Sequence, residues 1–258
     1  MQDDAFYSTY IHQKQEADGV AIKLQTALTE AGVDIQALVS RNPLTHSVMP
    51  IEVRELLGDL EVAVTKVQTE AAKVGAPKES AYAAYELAAG YMAAGEWQKA
   101  AAKYLEYLHV TPTDWEAHFA RGVALVNTRM GTASDLAALR EYNDAIALAG
   151  ESIDGDVRAK LMTYRGSVLK RLGRLDEAES DLLLGQKLAT SVEIVVDNAY
   201  NRAAVYAMRG ERMKVLDSLR ELQKAPDYLA LIHSHLNDYF REFSNDKEFI
   251  SLLGARRA

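Results

Sequence analysis

The chain has 258 residues, of which 48% are hydrophobic and 26% charged, with no cysteine, 15 glycines and 5 prolines. The lack of cysteine excludes disulfides, thiolate metal sites and cysteine nucleophiles, and the scarcity of glycine and proline favours helices over strands. The formal net charge is -8, and no segment is basic enough to bind nucleic acid. The composition therefore predicts an all-α protein.

The sequence gives no indication of a membrane protein. No apolar run approaches the roughly 18 residues that a membrane-spanning helix needs, and residues 1–4 are acidic at the end where a signal peptide is basic. We therefore predict a soluble, cytoplasmic protein without a membrane span. If a signal peptide or lipid anchor is removed from a precursor, the expected compartment is the periplasm.

Residues 1–75 have helical periodicity in two stretches. Apolar residues spaced three and four apart form a long stripe and a shorter one, which are Leu57, Leu60, Val64, Val67, Ala71 and Val74, and Ala17, Ala21, Leu24, Leu28 and Ala31. Residues 32–49 form the expected connection. The pattern predicts a helical hairpin that packs through Leu57, Leu60 and Val64 and caps the segment that follows. A dimerising coiled coil and a degenerate repeat are the alternatives.

Residues 81–114 combine small residues, a glycine and an aromatic residue at fixed spacings. Ala88 and Ala100 let two antiparallel helices approach closely, Gly95 supplies the turn between them, Tyr104 fills the space beside them, and Pro112 closes the unit. The segment resembles one complete tetratricopeptide repeat (TPR). The resemblance implies a helix-turn-helix unit of a repeat protein.

Three further copies of this pattern follow, at 115–152, 159–192 and 196–229. Gly122, Gly166 and Ala203 are their first small residues. The step from Gly122 to Ala138 is four residues longer than the equivalent step elsewhere, and we assign the extra length to a widened turn at 128–134. In the copy at 159–192, Thr190 stands where the family prefers proline.

The resemblance implies a right-handed α-solenoid of four TPR-like repeats over residues 76–229, behind the N-terminal helical segment 1–75. Residues 230–258 are predicted to close the exposed end of the stack. There the periodicity predicts a helix from Tyr228 to Phe240, and Asn245 and Glu248 have the spacing of a capping box. An apolar edge follows, formed by Phe249, Leu252 and Leu253.

The resemblance also implies a concave groove lined by one side of each repeat's first helix. Carried onto this chain, the groove gives candidate partner-binding residues, which are Tyr82, Tyr85, Glu86, Phe119, Lys160, Tyr164, Tyr200 and Asn201. Family members that hold acidic tails of heat-shock chaperones use inward lysine, asparagine and arginine, and only Lys160 matches. A second set of tyrosines takes the family's packing positions between helices, namely Tyr91, Tyr104, Tyr142 and Tyr206.

We therefore predict an interaction scaffold or adaptor, a monomer or homodimer, that binds a protein or peptide segment in an aromatic groove. A small-molecule binder or an enzyme using the same groove is the alternative. The sequence contains no phosphate loop, HExxH, GxSxG or calcium loop, so we assign no catalytic residue, metal ligand or cofactor. Ser167 and Lys170 match the SxxK spelling without its companion motifs, and His233 and His235 lack metal-ligand spacing.

Basic residues recur around the repeat turns. Two clusters surround glycine turns, with Lys170, Arg171 and Arg174 in one and Arg209, Arg212 and Lys214 in the other. Positive charge there complements the helix dipole, and the alternative is a ridge that binds an acidic partner. Arginines at equivalent repeat positions, Arg121, Arg165 and Arg202, are expected to bridge adjacent repeats.

Overall fold

The computed structural model describes residues 12–23, 26, 51–74, 77–151, 153–222, 232, 236 and 238–254. All regular secondary structure in these residues is helical, which confirms the all-α prediction. The chain divides into two compact units, Met1–Leu148 and Ala149–Ala258. The predictions for Leu24, Leu28, Ala31 and residues 32–49 lie outside the described residues.

The first unit contains six described helices, with α6 ending one residue beyond the unit boundary. They are α1 at 12–23, α2 at Ile51–Val74, α3 at Pro77–Ala94, α4 at Trp97–Leu108, α5 at Trp115–Asn127 and α6 at Thr132–Ala149. The second unit contains α7 at Gly155–Arg171, α8 at Leu175–Leu188, α9 at Val192–Met208, α10 at Arg212–Leu222, a 3₁₀ turn at Arg241–Phe243 and α11 at Lys247–Leu253.

Consecutive helices pack against one another within each unit. In the first unit α2 packs on α3, α3 on α4 and α4 on α5. In the second unit α7 packs on α8, α9 contacts both of them, and α10 packs on α9 and α11. The pairs α3–α4, α7–α8 and α9–α10 therefore form helical hairpins. This arrangement is compatible with an all-α repeat solenoid.

The turns of three hairpins have the same backbone hydrogen bonds. Gly95, Gly173 and Gly210 have φ of 72°, 73° and 70°, a conformation that side chains other than glycine disfavour. Each glycine N–H donates to the carbonyl three residues earlier, and the next N–H donates to the carbonyl five residues earlier. These two bonds satisfy carbonyls that the helix end leaves open. The predicted glycine turns are confirmed.

The two helices of a hairpin approach closely at the predicted glycines. A Cβ atom on Gly166 would lie 2.8 Å from Cγ of Leu182 on the facing helix. Gly122 faces the ring of Tyr142 in the same way. The predicted packing tyrosines are all buried, namely Tyr91, Tyr104, Tyr142 and Tyr206. Small residues therefore act as the contact points that the repeat pattern predicts.

The hairpin of α5 and α6 corrects the prediction of a widened turn at 128–134. Only residues 128–131 separate the two helices, and α6 already begins at Thr132. Arg129 and Gly131 both have positive φ, which reverses the chain within this short link. Compared with the hairpins that turn at Gly173 and Gly210, one of the four extra residues lengthens the turn and three lengthen the start of α6. A helical extension keeps their backbone groups hydrogen-bonded, which a longer loop does not.

The helices of residues 1–75 pack on the first hairpin. Leu57, Leu60 and Val64 of α2 are buried as predicted. Ala17 of α1 joins a buried cluster formed by Ala63, Val67 and Ala71 of α2, with Ala83 of α3 packed against it. Two helices therefore cover the start of α3. Whether this segment acts as a cap, a coiled coil or a repeat stays a prediction.

The C-terminal segment packs on α10 through charged pairs, and its own aromatic rings pack against one another. Asp246, and not the predicted Asn245, caps α11 by accepting from the N–H groups of Glu248 and Phe249. Arg212 pairs with Asp246 at 2.5 Å, and the Phe249 ring lies 5.8 Å from that of Phe240. Most of the helix predicted from Tyr228 to Phe240 lies outside the described residues.

Candidate functional site

The candidate groove residues fall into both units. Tyr82, Tyr85, Glu86 and Phe119 belong to the first unit, and Lys160, Tyr164, Tyr200 and Asn201 belong to the second. They differ in accessibility. Two side chains, Tyr82 and Glu86, are exposed; three are half-buried, Tyr85, Lys160 and Tyr164; and three are buried, Phe119, Tyr200 and Asn201.

Tyr82 and Tyr85 of α3 form an aromatic cluster with α4. The Tyr85 ring lies 5.4 Å from that of Tyr104 and 4.9 Å from that of Tyr107, and the Tyr82 ring lies 5.9 Å from that of Tyr107. Tyr104 and Tyr107 are buried, whereas Tyr82 is 58% exposed. The cluster therefore holds one tyrosine at the surface on a rigid aromatic base.

Carboxylates surround the buried side of this cluster. Tyr107 donates a 2.8 Å hydrogen bond to Asp114, the residue that caps α5. Burial and the charges of Asp114 and Glu116 raise the pKa of Tyr85 to about 12. Tyr85 therefore stays protonated in mildly alkaline solution as well as at neutral pH, and its hydroxyl keeps a proton to donate.

Glu86 and Tyr82 line a cavity between α1, α2 and α3. Its volume is about 170 Å³, and its walls are Lys14, Ala17, Asp18, Ala21, Leu60, Val64, Val67, Tyr82, Ala83 and Glu86. Partial desolvation beside the cavity raises the pKa of Glu86, and the nearby charge of Asp18 adds to the effect. Sequence reasoning missed the α1 side of this site. The signal was present, because Lys14 and Asp18 alternate with Ala17 and Ala21 along one side of a helix.

Phe119 is packed between helices and does not lie on an open groove. Its side chain is 7% exposed, and its ring lies 5.8 Å from that of Tyr142. Tyr200 is also buried, with an exposure of 4%. Truncation of either aromatic is therefore expected to lower stability, because both side chains belong to the packing of their units. Helical spacing alone did not distinguish an inward face from a covered one.

Tyr200 and Asn201 enclose Lys170, a residue that the sequence analysis placed in a basic cluster around a glycine turn. Lys170 is 2% exposed and donates a 2.8 Å hydrogen bond to Oδ1 of Asn201. Its Nζ lies 5.2 Å from the centroid of the Tyr200 ring and 4.7 Å from that of Tyr239. Burial lowers the pKa of Lys170 to about 7, with Arg171 adding to the effect and Asp197 opposing it.

The sequence contained a signal for this burial. Lys170 follows Thr163 by seven residues and Gly166 by four, and both of these are buried on α7. Residues at these spacings share one face of a helix. Lys170 is also the lysine of the SxxK match. Its Nζ is directed to Asn201 on α9 and to the two tyrosine rings.

The other basic cluster is paired with acids within the second unit. Arg209 and Lys214 both contact Glu179 of α8, and Arg212 contacts Asp246 and Glu248. These pairs neutralise the cluster and connect neighbouring hairpins. The contacts favour a structural role for these basic residues over a ridge that binds an acidic partner.

The recurring arginines connect the two helices of their own hairpins. Arg121 pairs with Glu141, Arg165 forms a bidentate pair with Asp181 at 2.7 Å, and Arg202 pairs with Glu221. Arg121 also donates to the carbonyl of Ala101 on the preceding hairpin, as expected of a bridge between repeats. The predicted bridge to the neighbouring hairpin therefore holds for Arg121, which also forms a bond inside its own hairpin.

Neither a metal site nor a membrane span is evident in the described part of the chain. Among those residues, no group of three or more His, Asp or Glu side chains is placed to hold a metal ion. No helix there has both the length and the apolar character needed to cross a bilayer. His233 and His235 lie outside the described residues.

Comparison with protein-family models and with curated proteins finds no match for this chain. The class of protein is therefore defined by its fold, an all-α chain of helical hairpins.

Proposed function

We propose that this chain is a TPR-like interaction scaffold that binds a segment of a partner protein on the α3 face of its first hairpin. The observation that carries the proposal is the exposure of Tyr82. A tyrosine that rests on a buried aromatic base, with 58% of its side chain open to solvent, presents a large surface at little cost in side-chain entropy.

The neighbourhood of Tyr82 supports the same function. The cavity of about 170 Å³ opens beside it, and Tyr85 and Glu86 supply polar groups within one helical turn. Binding hot spots typically combine an aromatic anchor with a pocket and a few polar groups that fix orientation. The hydrogen-bonded turn at Gly95 and the fully buried small residues Ala88 and Ala100 make this hairpin a firm support for such a surface.

The test is a selection of random short peptides displayed on phage against the immobilised full chain. Enriched peptides are then measured by fluorescence anisotropy against the wild type, Tyr82→Ala and Val62→Ala. Val62 on α2 is the matched control, because it is also 58% exposed and does not line the cavity. We expect Tyr82→Ala to weaken binding by about tenfold or more, and Val62→Ala to change it by less than about twofold. Peptides that bind both variants equally would contradict the proposal.

A further inference from the structure

The cavity next to Tyr82 has the size of one side chain. Cavities of roughly 150 Å³ hold a benzene molecule, and this one measures about 170 Å³. Its apolar wall comes from three helices and includes Ala17 of α1, Val64 of α2 and Ala83 of α3. An inserted side chain therefore finds an aliphatic surface along its stem.

The rim of the cavity carries two neighbouring carboxylates. Glu86 projects from α3 and Asp18 from α1, and their mutual repulsion contributes to the raised pKa of Glu86. Within the described part of the chain, neither carboxylate has an ion-pair or side-chain hydrogen-bond partner, although Lys14 also lines the cavity. Two carboxylates in this position disfavour an anion, and a neutral apolar group would desolvate them without compensation. A cation removes the repulsion.

The charge of the whole unit favours the same ligand. Residues 1–148 contain 20 acidic and 12 basic side chains, whereas residues 149–258 contain 17 of each. The net charge of -8 therefore belongs entirely to the unit that contains the cavity. A field of this sign raises the rate at which a basic segment approaches the site.

Tyr82 supplies a third element of cation recognition. Its exposed ring is held edge-on against Tyr107, with a centroid distance of 5.9 Å and an interplanar angle of 62°, and it forms part of the cavity wall. A lysine or arginine side chain that enters beside an aromatic face gains a cation–π contact. Two carboxylates, one aromatic ring and an aliphatic wall together match a long basic side chain.

We propose that this cavity receives a lysine or arginine side chain of the partner segment, with its charged end between Glu86 and Asp18 and its stem on the apolar wall. The inference rests on the proposed function, because it assigns the chemistry of the segment bound at the same site. It also explains why Glu86 is kept in a partly desolvated position, where an ionised carboxylate without a partner lowers stability.

The test uses the peptides selected on the wild-type chain. Each Tyr82-dependent peptide is resynthesised with its lysine or arginine replaced by norleucine, which retains the aliphatic stem and removes the charge. Binding of the original peptides is also measured to Glu86→Gln, to Asp18→Asn and to Asp59→Asn. Asp59 is the matched control, because it is an exposed carboxylate of α2 outside the cavity.

We expect about tenfold weaker binding for the norleucine peptides and for Glu86→Gln, a smaller loss for Asp18→Asn, and less than about twofold change for Asp59→Asn. Thermal unfolding of Glu86→Gln at or above the wild-type temperature shows that the loss is not due to misfolding. Tyr82-dependent peptides without lysine or arginine, or an unchanged affinity of Glu86→Gln, would overturn the inference and leave the proposed function standing. If no peptide depends on Tyr82, the proposed function fails, and the inference fails with it.

Discussion

A Cβ atom added to Gly122 would lie 2.5 Å from Cε1 of Tyr142, a distance at which one of the two groups must move. Tyr142 is fully buried on α6, and its ring also packs against Phe119 of α5. The ring of one helix therefore rests directly on the backbone of the other. The contact fixes how closely the hairpin closes.

Gly122→Leu should lower the free energy of unfolding by roughly 1–3 kcal/mol, because the added side chain displaces a buried ring. Gly166→Leu should act similarly against Leu182. The measurement is urea denaturation followed by circular dichroism. Gly58→Leu in α2 is the control, since nothing lies within 4 Å of a Cβ atom at that position. Wild-type stability in both hairpin variants would contradict the close contact.

The second prediction concerns Thr190, which lies between α8 and α9. Its N–H and hydroxyl both donate to Asp156 at the start of α7, at 2.5 and 2.8 Å, and these bonds lower the pKa of Asp156. Thr190→Pro should reduce the melting temperature at neutral pH more than Thr190→Ala, because alanine keeps the N–H donor. The extended backbone of Ala189 is compatible with a following proline. We therefore attribute the larger decrease in melting temperature of Thr190→Pro to the missing N–H donor.

The pH dependence of the same bonds has a definite sign. Asp156 has a lowered pKa in the folded chain, so its contribution is present above the ordinary aspartate pKa and disappears as the pH falls below it. Differential scanning calorimetry should therefore show the Thr190→Pro difference shrinking in acid. A difference that is constant down to the lowest accessible pH would contradict the assignment.

The third prediction concerns Lys170. Its pKa is about 7 in the folded chain, whereas an unfolded lysine titrates near roughly 10.4. Between these values the unfolded chain binds the proton that the folded chain has released, so stability should rise with pH. Urea denaturation between neutral pH and about pH 9.5 should show this rise in the wild type.

Lys170→Met should remove that part of the rise, because methionine has a similar shape and no titrating group. Lys187→Met is the control, because Lys187 is exposed on α8 of the same unit. It should retain the wild-type slope. If Lys170→Met also retains the wild-type slope, Lys170 is charged in both the folded and the unfolded chain. Its burial would then not govern its protonation.

The fourth prediction separates aromatic side chains by burial. Phe119→Ala and Tyr200→Ala should each destabilise by roughly 3–5 kcal/mol, because they empty well-packed sites. Tyr82→Ala should change the free energy of unfolding by less than about 0.5 kcal/mol, as exposed positions usually do. Denaturant titration of the three variants tests the division. A large loss of stability in Tyr82→Ala would identify Tyr82 as part of the packing.

The sequence by itself determined the helical hairpins and the glycine turns of three of them. Gly95, Gly173 and Gly210 were recognisable because a left-handed turn residue and a small contact residue leave a local, periodic pattern. The same reasoning placed the buried stripe of α2 and the packing tyrosines, since both depend on the spacing of residues along one helix. These features are decided by interactions between residues near in sequence or at fixed repeat positions.

Only the tertiary structure decided which surfaces remain open. Lys170 appeared as a basic residue beside a turn, but Asn201 and two tyrosine rings from other segments enclose it. The cavity at Glu86 exists because α1 packs across α2 and α3, bringing Asp18 close to a carboxylate far away in sequence. Periodicity identifies the face of a helix, but accessibility and charge environment depend on which distant segment covers that face, and that is set by packing between helices.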